Sequence, residues 1–307
     1  MEALATKPAE DFASSRRLYE LAKRRSWNVS TDIEWPLDSS LPEWPFPETK
    51  SCFSGYPRHD CLPASERQRI AWRQHVLEVS ELYHGEEAAM IACGLLLRDM
   101  PQGESRHFLC SQLFDEARHS EFFQRYLQQL GTTPVPIGRR LEALLARCRD
   151  EDCDMETRLL ICQLVVESLA LGRFSDLMQS SHVPVLRQAL HRIRRDEARH
   201  VSFGIRHLHR ILRDRTDEER DALGCFVLRT VFDLIADTGP LQDLVQGYSW
   251  PATELRWHLR RHMVLRARGS RVLPSLLRSL RQLDLLGPQG RCLLQLRGLA
   301  VPGEPVL

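Results

Sequence analysis

One pentapeptide, Asp-Glu-Ala-Arg-His, occurs twice in the chain, at 115–119 and again at 196–200. Each copy lies in a long stretch with helical apolar spacing, so the glutamate and the histidine three residues later share one helix face. Buried carboxylates without partners are costly, and proteins avoid them. The repeat therefore predicts a helical protein that holds cations between side chains of two helices: Glu116, His119, Glu197 and His200.

The rest of the chain also predicts helices, because alternating strand patterns are scarce and Gly and Pro separate long helical stretches. The four longest stretches are expected at about 65–99, 104–130, 155–180 and 184–214. Helices of this length are typical of a bundle. We expect an all-α four-helix bundle within a single domain. The predicted domain spans residues 1–307. It comprises an irregular strap at 26–64, the four-helix core at 65–214 and additional helices at 215–307.

A further glutamate on the first hairpin follows from counting residues to its turn. Glu86 lies thirteen residues before the expected helix end at Asp99, and Glu116 lies twelve residues after the expected start at Glu104. At about 1.5 Å per residue, both carboxylates lie about 20 Å from the same turn. Glu81 and Glu87 are the alternatives to Glu86, but Glu87 is rotated by about 100° from it, toward solvent.

The second hairpin repeats this spacing, with thirteen residues from Glu167 to Ser180 and thirteen from Pro184 to Glu197. Four carboxylates and two imidazoles therefore converge, and two divalent ions would balance their charge. Oxygen and imidazole ligands without thiolate suit iron or manganese, and zinc is chemically possible.

Four charged neighbours in the two pentapeptides have two interpretations each. Asp115 and Asp196 precede the ligand glutamates, where they would either orient the imidazoles by hydrogen bonds or remain exposed acids. Arg118 and Arg199 are expected to pair with nearby acids and not to act in catalysis.

Apolar residues near the expected ligands suggest a substrate pocket, with room left by a glycine that lacks a side chain. The alternative is ordinary core packing. The candidate pocket residues are Tyr83, Met90, Phe123, Leu171, Phe174, Phe203 and Gly204.

Composition excludes several classes of protein. The net charge of +1 gives no reason to expect nucleic-acid binding, and the longest apolar run, 88–97, is too short to span a membrane. Nine cysteines without a Cys-x-x-Cys pair, and an N-terminus without a hydrophobic stretch, predict a cytoplasmic protein. Residues 252–307 contain ten arginines and three acidic residues, which gives this segment a net charge of +7.

At these residues the chain resembles the ferritin-like dimetal-carboxylate superfamily, in its ribonucleotide reductase small-subunit-like branch, and most of all the ligand-binding oxidases of that branch. Their GEEA helix is similar to 85–88, their third-helix motif to 166–168 and their final DExRH motif to 196–200. The resemblance implies a bundle that binds two iron ions, or one manganese and one iron, and reacts with O₂. The ligands it implies are Glu86, Glu116, His119, Glu167, Glu197 and His200.

Four residues depart from the patterns of these subfamilies. Phe123 stands where the reductase small subunits carry a radical tyrosine, which argues against a reductase role. Ala89 and Cys162 stand where the ligand-binding oxidases form a valine–tyrosine cross-link. Ile193 stands where the related arylamine N-oxygenases have a third histidine ligand, four residues before the last glutamate.

These observations predict an O₂-activating oxidase or oxygenase that hydroxylates, desaturates or N-oxygenates a small organic molecule. Such an enzyme needs an external electron donor, and we expect a homodimer. Two alternatives stay open. One is a ferroxidase or other iron-handling protein, which needs the same ligands but no organic pocket. The other is a metal-stabilised binding module whose basic C-terminal helices dock an acidic partner.

Overall fold

The structure, a computed structural model, describes residues 9–35 and 41–299. Residues 36–40 of the predicted strap, together with the chain ends 1–8 and 300–307, lie outside the described residues. The described residues form helices and irregular segments without a β-strand, so the prediction of an all-α fold is confirmed. The helices are α1 (Ala9–Arg24), α2 (Pro57–Asp60), α3 (Ala64–Asp99), α4 (Glu104–Gln129), α5 (Arg139–Arg149), α6 (Met155–Arg158), α7 (Glu167–Ser180), α8 (Pro184–Ile211), α9 (Asp217–Ile235), α10 (Gly239–Asp243), α11 (Ala252–Gly269), α12 (Val272–Gln282) and α13 (Pro288–Leu296).

Two helical hairpins form the centre of the fold. Helix α3 packs along α4, α7 packs along α8, and α4 contacts α8, which joins the hairpins. The helix ends use the expected residues: Gly131 follows the end of α4 with a φ of +73°, a conformation that glycine adopts without strain, and Pro184 occupies the first turn of α8. The bundle interior is filled by leucine, isoleucine, valine and phenylalanine side chains.

One local feature was not predicted. The third long helix is not α-helical throughout, because a π-helical stretch (Leu159–Val166) separates α6 from α7. A π-helical turn contains an extra residue, and such turns are frequent at functional sites. Here the stretch ends immediately before Glu167, so it sets the direction in which that carboxylate points.

The described parts of the strap pack on the bundle at two places. Trp27, Val29 and Ile33 are buried against the side chains of α4 and α8. Further along, Phe53 and Tyr56 join a separate apolar cluster with residues of α3 and α11. The described strap thus covers the bundle through separate apolar side chains, and its regular structure is limited to short helical turns such as α2.

The C-terminal helices close one side of the second hairpin. Helix α12 packs on α7, and Gly172 permits this approach because a Cβ there would lie 2.4 Å from the Cα of Val272. Helix α11 lies between α12 and the described strap residues. No helix among the described residues is long and apolar enough to cross a membrane.

Candidate metal centre

The structure brings together all six side chains that the sequence predicts as ligands. They fall into two groups of four, and within each group the potential ligand atoms lie within 4.8 Å of one another. All six are buried. One group is Glu86, Glu116, His119 and Glu197, and the other is Glu116, Glu167, Glu197 and His200. Because Glu116 and Glu197 belong to both groups, their carboxylates lie where they could contact both of two adjacent ions.

Each imidazole turns its Nδ1 atom toward the carboxylates. The Nδ1 of His119 lies 3.0 Å from Glu197 Oε1, 3.4 Å from Glu116 Oε2 and 3.5 Å from Glu86 Oε2. The Nδ1 of His200 lies 3.0 Å from Glu197 Oε2 and 3.2 Å from Glu116 Oε1.

At His200 the fourth carboxylate is also close, because Glu167 Oε2 lies 3.8 Å from its Nδ1. Each ring is therefore placed to offer one nitrogen to an ion held among the carboxylates.

The opposite ring nitrogens contact the two aspartates. Nε2 of His119 lies 3.3 Å from Asp196 Oδ2, and Nε2 of His200 lies 3.2 Å from Asp115 Oδ2. Each aspartate thus contacts the histidine of the other pentapeptide, on the opposite helix. A proton shared on Nε2 leaves the Nδ1 lone pair free to face the centre, which is how such contacts orient metal-binding imidazoles.

Arginine and tryptophan side chains hold these aspartates in place. Nη2 of Arg199 lies 2.8 Å from both Asp115 Oδ2 and Asp196 Oδ1, and Arg118 pairs with both aspartates as well. The indole Nε1–H of Trp27 in the strap donates to Asp196 Oδ2 at 2.8 Å. The arginines therefore pair with the nearby acids, as the sequence suggested, and the indole is a contact that the sequence did not reveal.

The electrostatics of the cluster call for added positive charge. Burial raises the pKa of Glu86 and Glu167 well above the ordinary value, and in Glu167 the nearby carboxylates of Glu197 and Glu116 add to this. Burial opposes protonation of His119, but its contacts with Asp196 and the glutamates outweigh burial and raise its pKa. Without cations, protons must supply the charge that four buried carboxylates lack.

The residues present fit a pair of metal ions. Three buried atoms that face the centre lie near one another but have no partner in hydrogen-bonding geometry: Glu116 Oε2, His119 Nδ1 and Glu197 Oε1. Leaving a buried polar atom without a partner costs about 1–3 kcal/mol, and a bound ion would satisfy all three. Oxygen and imidazole ligands are those that iron and manganese favour.

Gln112 is a member of the site that the sequence analysis missed. Its Nε2 donates to Glu167 Oε1 at 2.9 Å and to Glu116 Oε1 at 3.0 Å, so it links a ligand of each hairpin. The side chain is fully buried, and its Oε1 has no hydrogen-bond partner. The only sequence signal was its position four residues before Glu116, on the same helix face.

The two alternatives to Glu86 lie outside the cluster. Glu87 accepts a hydrogen bond from the Ser120 hydroxyl, and Glu81 pairs with Arg173 at 3.0 Å. Among these three acids, the structure brings only Glu86 to the imidazoles.

A cavity of about 230 Å³ adjoins the cluster and is lined by Glu86, Glu167 and Glu197. Of the seven predicted pocket residues, Phe174 lines this cavity. The other six do not line it: Tyr83, Met90, Phe123, Leu171, Phe203 and Gly204.

Two of these six residues are closely packed against their neighbours. Gly204 offers no free space, since a Cβ there would lie 2.5 Å from Gln163 Cβ; its missing side chain permits close helix packing. Phe203 is fully buried and stacks on Phe108 with the ring centroids 4.5 Å apart. That side of the cluster is packed core, which the sequence analysis had named as the alternative.

The chain matches the family model described as p-aminobenzoate N-oxygenase AurF over residues 8–238. The chain belongs to this family. No curated protein is significantly similar to it.

Among solved structures, similar ones include two variants of an R2-like ligand-binding oxidase, each carrying a tyrosine-to-phenylalanine substitution. The variant with an aerobically reconstituted Mn/Fe cofactor is 19% identical, covers 88% of this chain and 93% of its own, and has a TM-score of 0.57. A second variant, with an anaerobically reconstituted Mn/Fe cofactor, is also 19% identical, covers 88% and 94%, and has a TM-score of 0.58. These likenesses show the fold.

Family and fold together confirm the predicted membership of the ferritin-like dimetal-carboxylate superfamily. The protein is an O₂-activating dimetal oxidoreductase of the oxidase or oxygenase type. The prediction of two metal ions with O₂ as co-substrate is likewise confirmed.

Proposed function

We propose that the protein N-oxygenates an amine of a small, largely apolar organic molecule that enters the 230 Å³ cavity. The observation that carries this proposal is the position of Glu86, Glu167 and Glu197, which belong to the buried carboxylate–imidazole cluster and also line the cavity. A molecule in the cavity would lie directly beside the ions. The family's description as an N-oxygenase supports an amine as the oxidised group.

The proposed ligands of the two ions are the six clustered side chains: Glu86, Glu116, His119, Glu167, Glu197 and His200. Bound there, two iron ions, or one manganese and one iron, would supply electrons for the reduction of O₂. We favour two iron ions.

Other side chains of the protein fix the positions of these ligands and limit the access of water to them. Asp115 and Asp196 hold a proton at the Nε2 atoms of the histidines, and Gln112 holds the carboxylates of both hairpins. The apolar side chains that line part of the cavity, among them Val166 and Phe174, would limit the access of water to the ions and so strengthen electrostatic interactions there.

C–H hydroxylation or desaturation is the second candidate, and one residue favours it. Ile193 occupies the position of the additional histidine of the arylamine N-oxygenases. Its side chain is fully buried among apolar residues and offers no ligand atom. A ferroxidase needs no apolar cavity beside the ions, so we do not propose that role.

We further propose that the protein is a cytoplasmic homodimer that receives electrons from a separate donor protein. Two large apolar side chains on adjacent helices, Ile91 on α3 and Phe114 on α4, are exposed and would suit a subunit contact. Light scattering would test the dimer.

Reconstitution with Fe(II) under anaerobic conditions, followed by O₂ and a set of small arylamines, tests the activity. We expect oxidised-metal absorption and a product that has gained oxygen from isotopically labelled O₂ at nitrogen. Oxygen gained at carbon would support the second candidate. Glu116→Ala should abolish both signals, whereas Glu121→Ala, an exposed glutamate on the same helix, should not. Failure of the unaltered protein to show metal oxidation would contradict the proposal.

A further inference from the structure

The cavity beside the cluster has a charged wall as well as an apolar one. Apart from the three glutamates of the cluster, the charged residues that line it are four acids and two arginines: Glu78, Glu81, Asp176, Asp237, Arg173 and Arg266. These groups lie close enough to influence one another, since Arg173 and Arg266 both act on the carboxyl of Asp176, and Asp237 acts on that of Glu81.

The charged wall lies about one and a half to two and a half helical turns from the cluster. On α3, Glu81 precedes Glu86 by five residues, and on α7, Arg173 and Asp176 follow Glu167 by six and nine. At 1.5 Å per residue these separations are about 7.5, 9 and 13.5 Å along the helix axes. The ion pair between Glu81 and Arg173, at 3.0 Å, shows that both helices meet at this level.

The guanidinium groups in this wall already have carboxylate partners. Arg266 pairs with Glu78 at 3.1 Å, and Arg173 pairs with Glu81. Asp176 accepts hydrogen bonds from a backbone amide, that of residue 271, and Asp237 accepts one from the amide of Gly239. Among the described side chains, neither aspartate has an arginine or lysine within ion-pair distance. The wall therefore carries two carboxylates more than it has cations.

Partial burial makes this excess of carboxylates energetically costly. It raises the pKa of Asp176, and the hydrogen bonds from the backbone amide of Arg271 together with the charges of Arg266, Arg173 and Arg271 only partly oppose this. A ligand carboxylate would compete with Glu78 and Glu81 for the guanidiniums and would add negative charge. An ammonium group has only donors and a positive charge, so it would satisfy the unpaired carboxylates.

We propose that the substrate is an amphiphilic amine whose ammonium end contacts Asp176 and Asp237, while its oxidised group lies beside the cluster. The inference rests on the proposed function, because it takes this cavity to be the substrate site. The apolar side chains between the two ends, which include Leu82, Val166 and Phe174, would pack against an aromatic or aliphatic body. Asp176 and Asp237 would then select substrates by the charge of the end remote from the ions.

Binding of three arylamines of similar size tests this proposal. The probes are para-aminobenzylamine with a cationic end, para-toluidine with a neutral end and para-aminobenzoate with an anionic end. Calorimetric titration into the iron-loaded protein without O₂ measures binding without turnover. We expect para-aminobenzylamine to bind about tenfold more tightly than para-toluidine, the size of one charge-assisted hydrogen bond, and para-aminobenzoate to bind weakest.

Variants locate the source of the preference. Asp176→Asn should reduce the preference for the cationic probe, and combining it with Asp237→Asn should abolish it. Asp233→Asn is the matched control, because this aspartate lies on α9 four residues before Asp237, but its exposed side chain pairs with Arg140 and does not line the cavity. Asp176→Asn alone serves if the double variant does not fold.

Three results would each overturn the proposal. They are equal affinities of the three probes, tightest binding of para-aminobenzoate, and a preference for the cationic probe that is unchanged in Asp176→Asn. These outcomes are separate from those of the oxygenation test. Tight binding of the cationic probe without its oxidation would contradict the proposed function alone. Oxidation of arylamines together with a preference for the anionic probe would contradict the charged-end proposal alone.

Discussion

Replacing Gln112 with leucine removes a side-chain amide that links ligands of both hairpins. Its Nε2 donates to two carboxylates, at 2.9 and 3.0 Å, and a hydrogen bond to a charged group contributes about 1.5–3 kcal/mol. Most of this is recovered when an ion binds, because the ion itself stabilises the carboxylates. The variant still lacks the hydrogen bonds that orient the carboxylates of Glu116 and Glu167. Contacts that orient metal ligands typically change metal affinity by 10- to 100-fold, which corresponds to about 1.4–2.8 kcal/mol.

We therefore expect Gln112→Leu to bind Fe(II) about 10- to 100-fold more weakly than the unaltered protein. Anaerobic titration against a competing chelator would measure the change. Gln74→Leu is the matched control, since this buried glutamine donates to Glu78 at 3.1 Å, outside the cluster, and should leave metal affinity unchanged. Unchanged affinity in Gln112→Leu, or an equal loss in both variants, would refute the reasoning.

Three further predictions address orientation, packing and pH. Asp196→Asn should weaken metal binding about 10- to 100-fold in the same titration by disturbing the imidazole that it orients, and unchanged affinity would count against that role. Gly224→Ala should lower the free energy of unfolding in urea by about 1–3 kcal/mol, because the new Cβ would lie 1.7 Å from the Leu285 carbonyl oxygen; Gly94→Ala, with no atom within 4 Å of its Cβ, should not be destabilised. Burial lowers the pKa of His75 to about 4 from 6.5, so folding keeps this ring neutral while the unfolded chain takes up a proton. The contribution of the neutral His75 ring to the free energy of unfolding is complete above pH 6.5. It is lost as the pH falls toward 4, by about 3 kcal/mol in total. Urea unfolding between those pH values should show a smaller loss in His75→Gln, and equal losses would contradict the assignment.

The helices and the six clustered residues could be predicted because both follow from local geometry. The rise per residue of an α-helix is nearly constant, so counting from Glu86 and Glu116 to their shared turn places the two side chains at one depth. The structure agrees, since both contact the Nδ1 of His119. The same regularity separates Glu86 from Glu87, which point in different directions from one helix.

The cavity could not be located in the same way, because it depends on how helices pack against one another. The missing side chain of Gly204 suggests free space in the sequence, but α8 uses that glycine to approach Gln163. The actual cavity lies on the side closed by α11, which contributes Met263 and Arg266. Those residues are almost a hundred positions from Glu167, and no local pattern connects them. The π-helical stretch likewise has no distinctive sequence.

The central claim is that two metal ions are held where the two groups of carboxylates and imidazoles meet. Anomalous diffraction at the iron absorption edge, from crystals prepared anaerobically with ferrous salt, tests this most directly. We expect two strong peaks per chain, one contacting Nδ1 of His119 and the other Nδ1 of His200, with Glu116 and Glu197 beside both. Peaks located elsewhere, or none between these side chains in iron-saturated protein, would contradict the account.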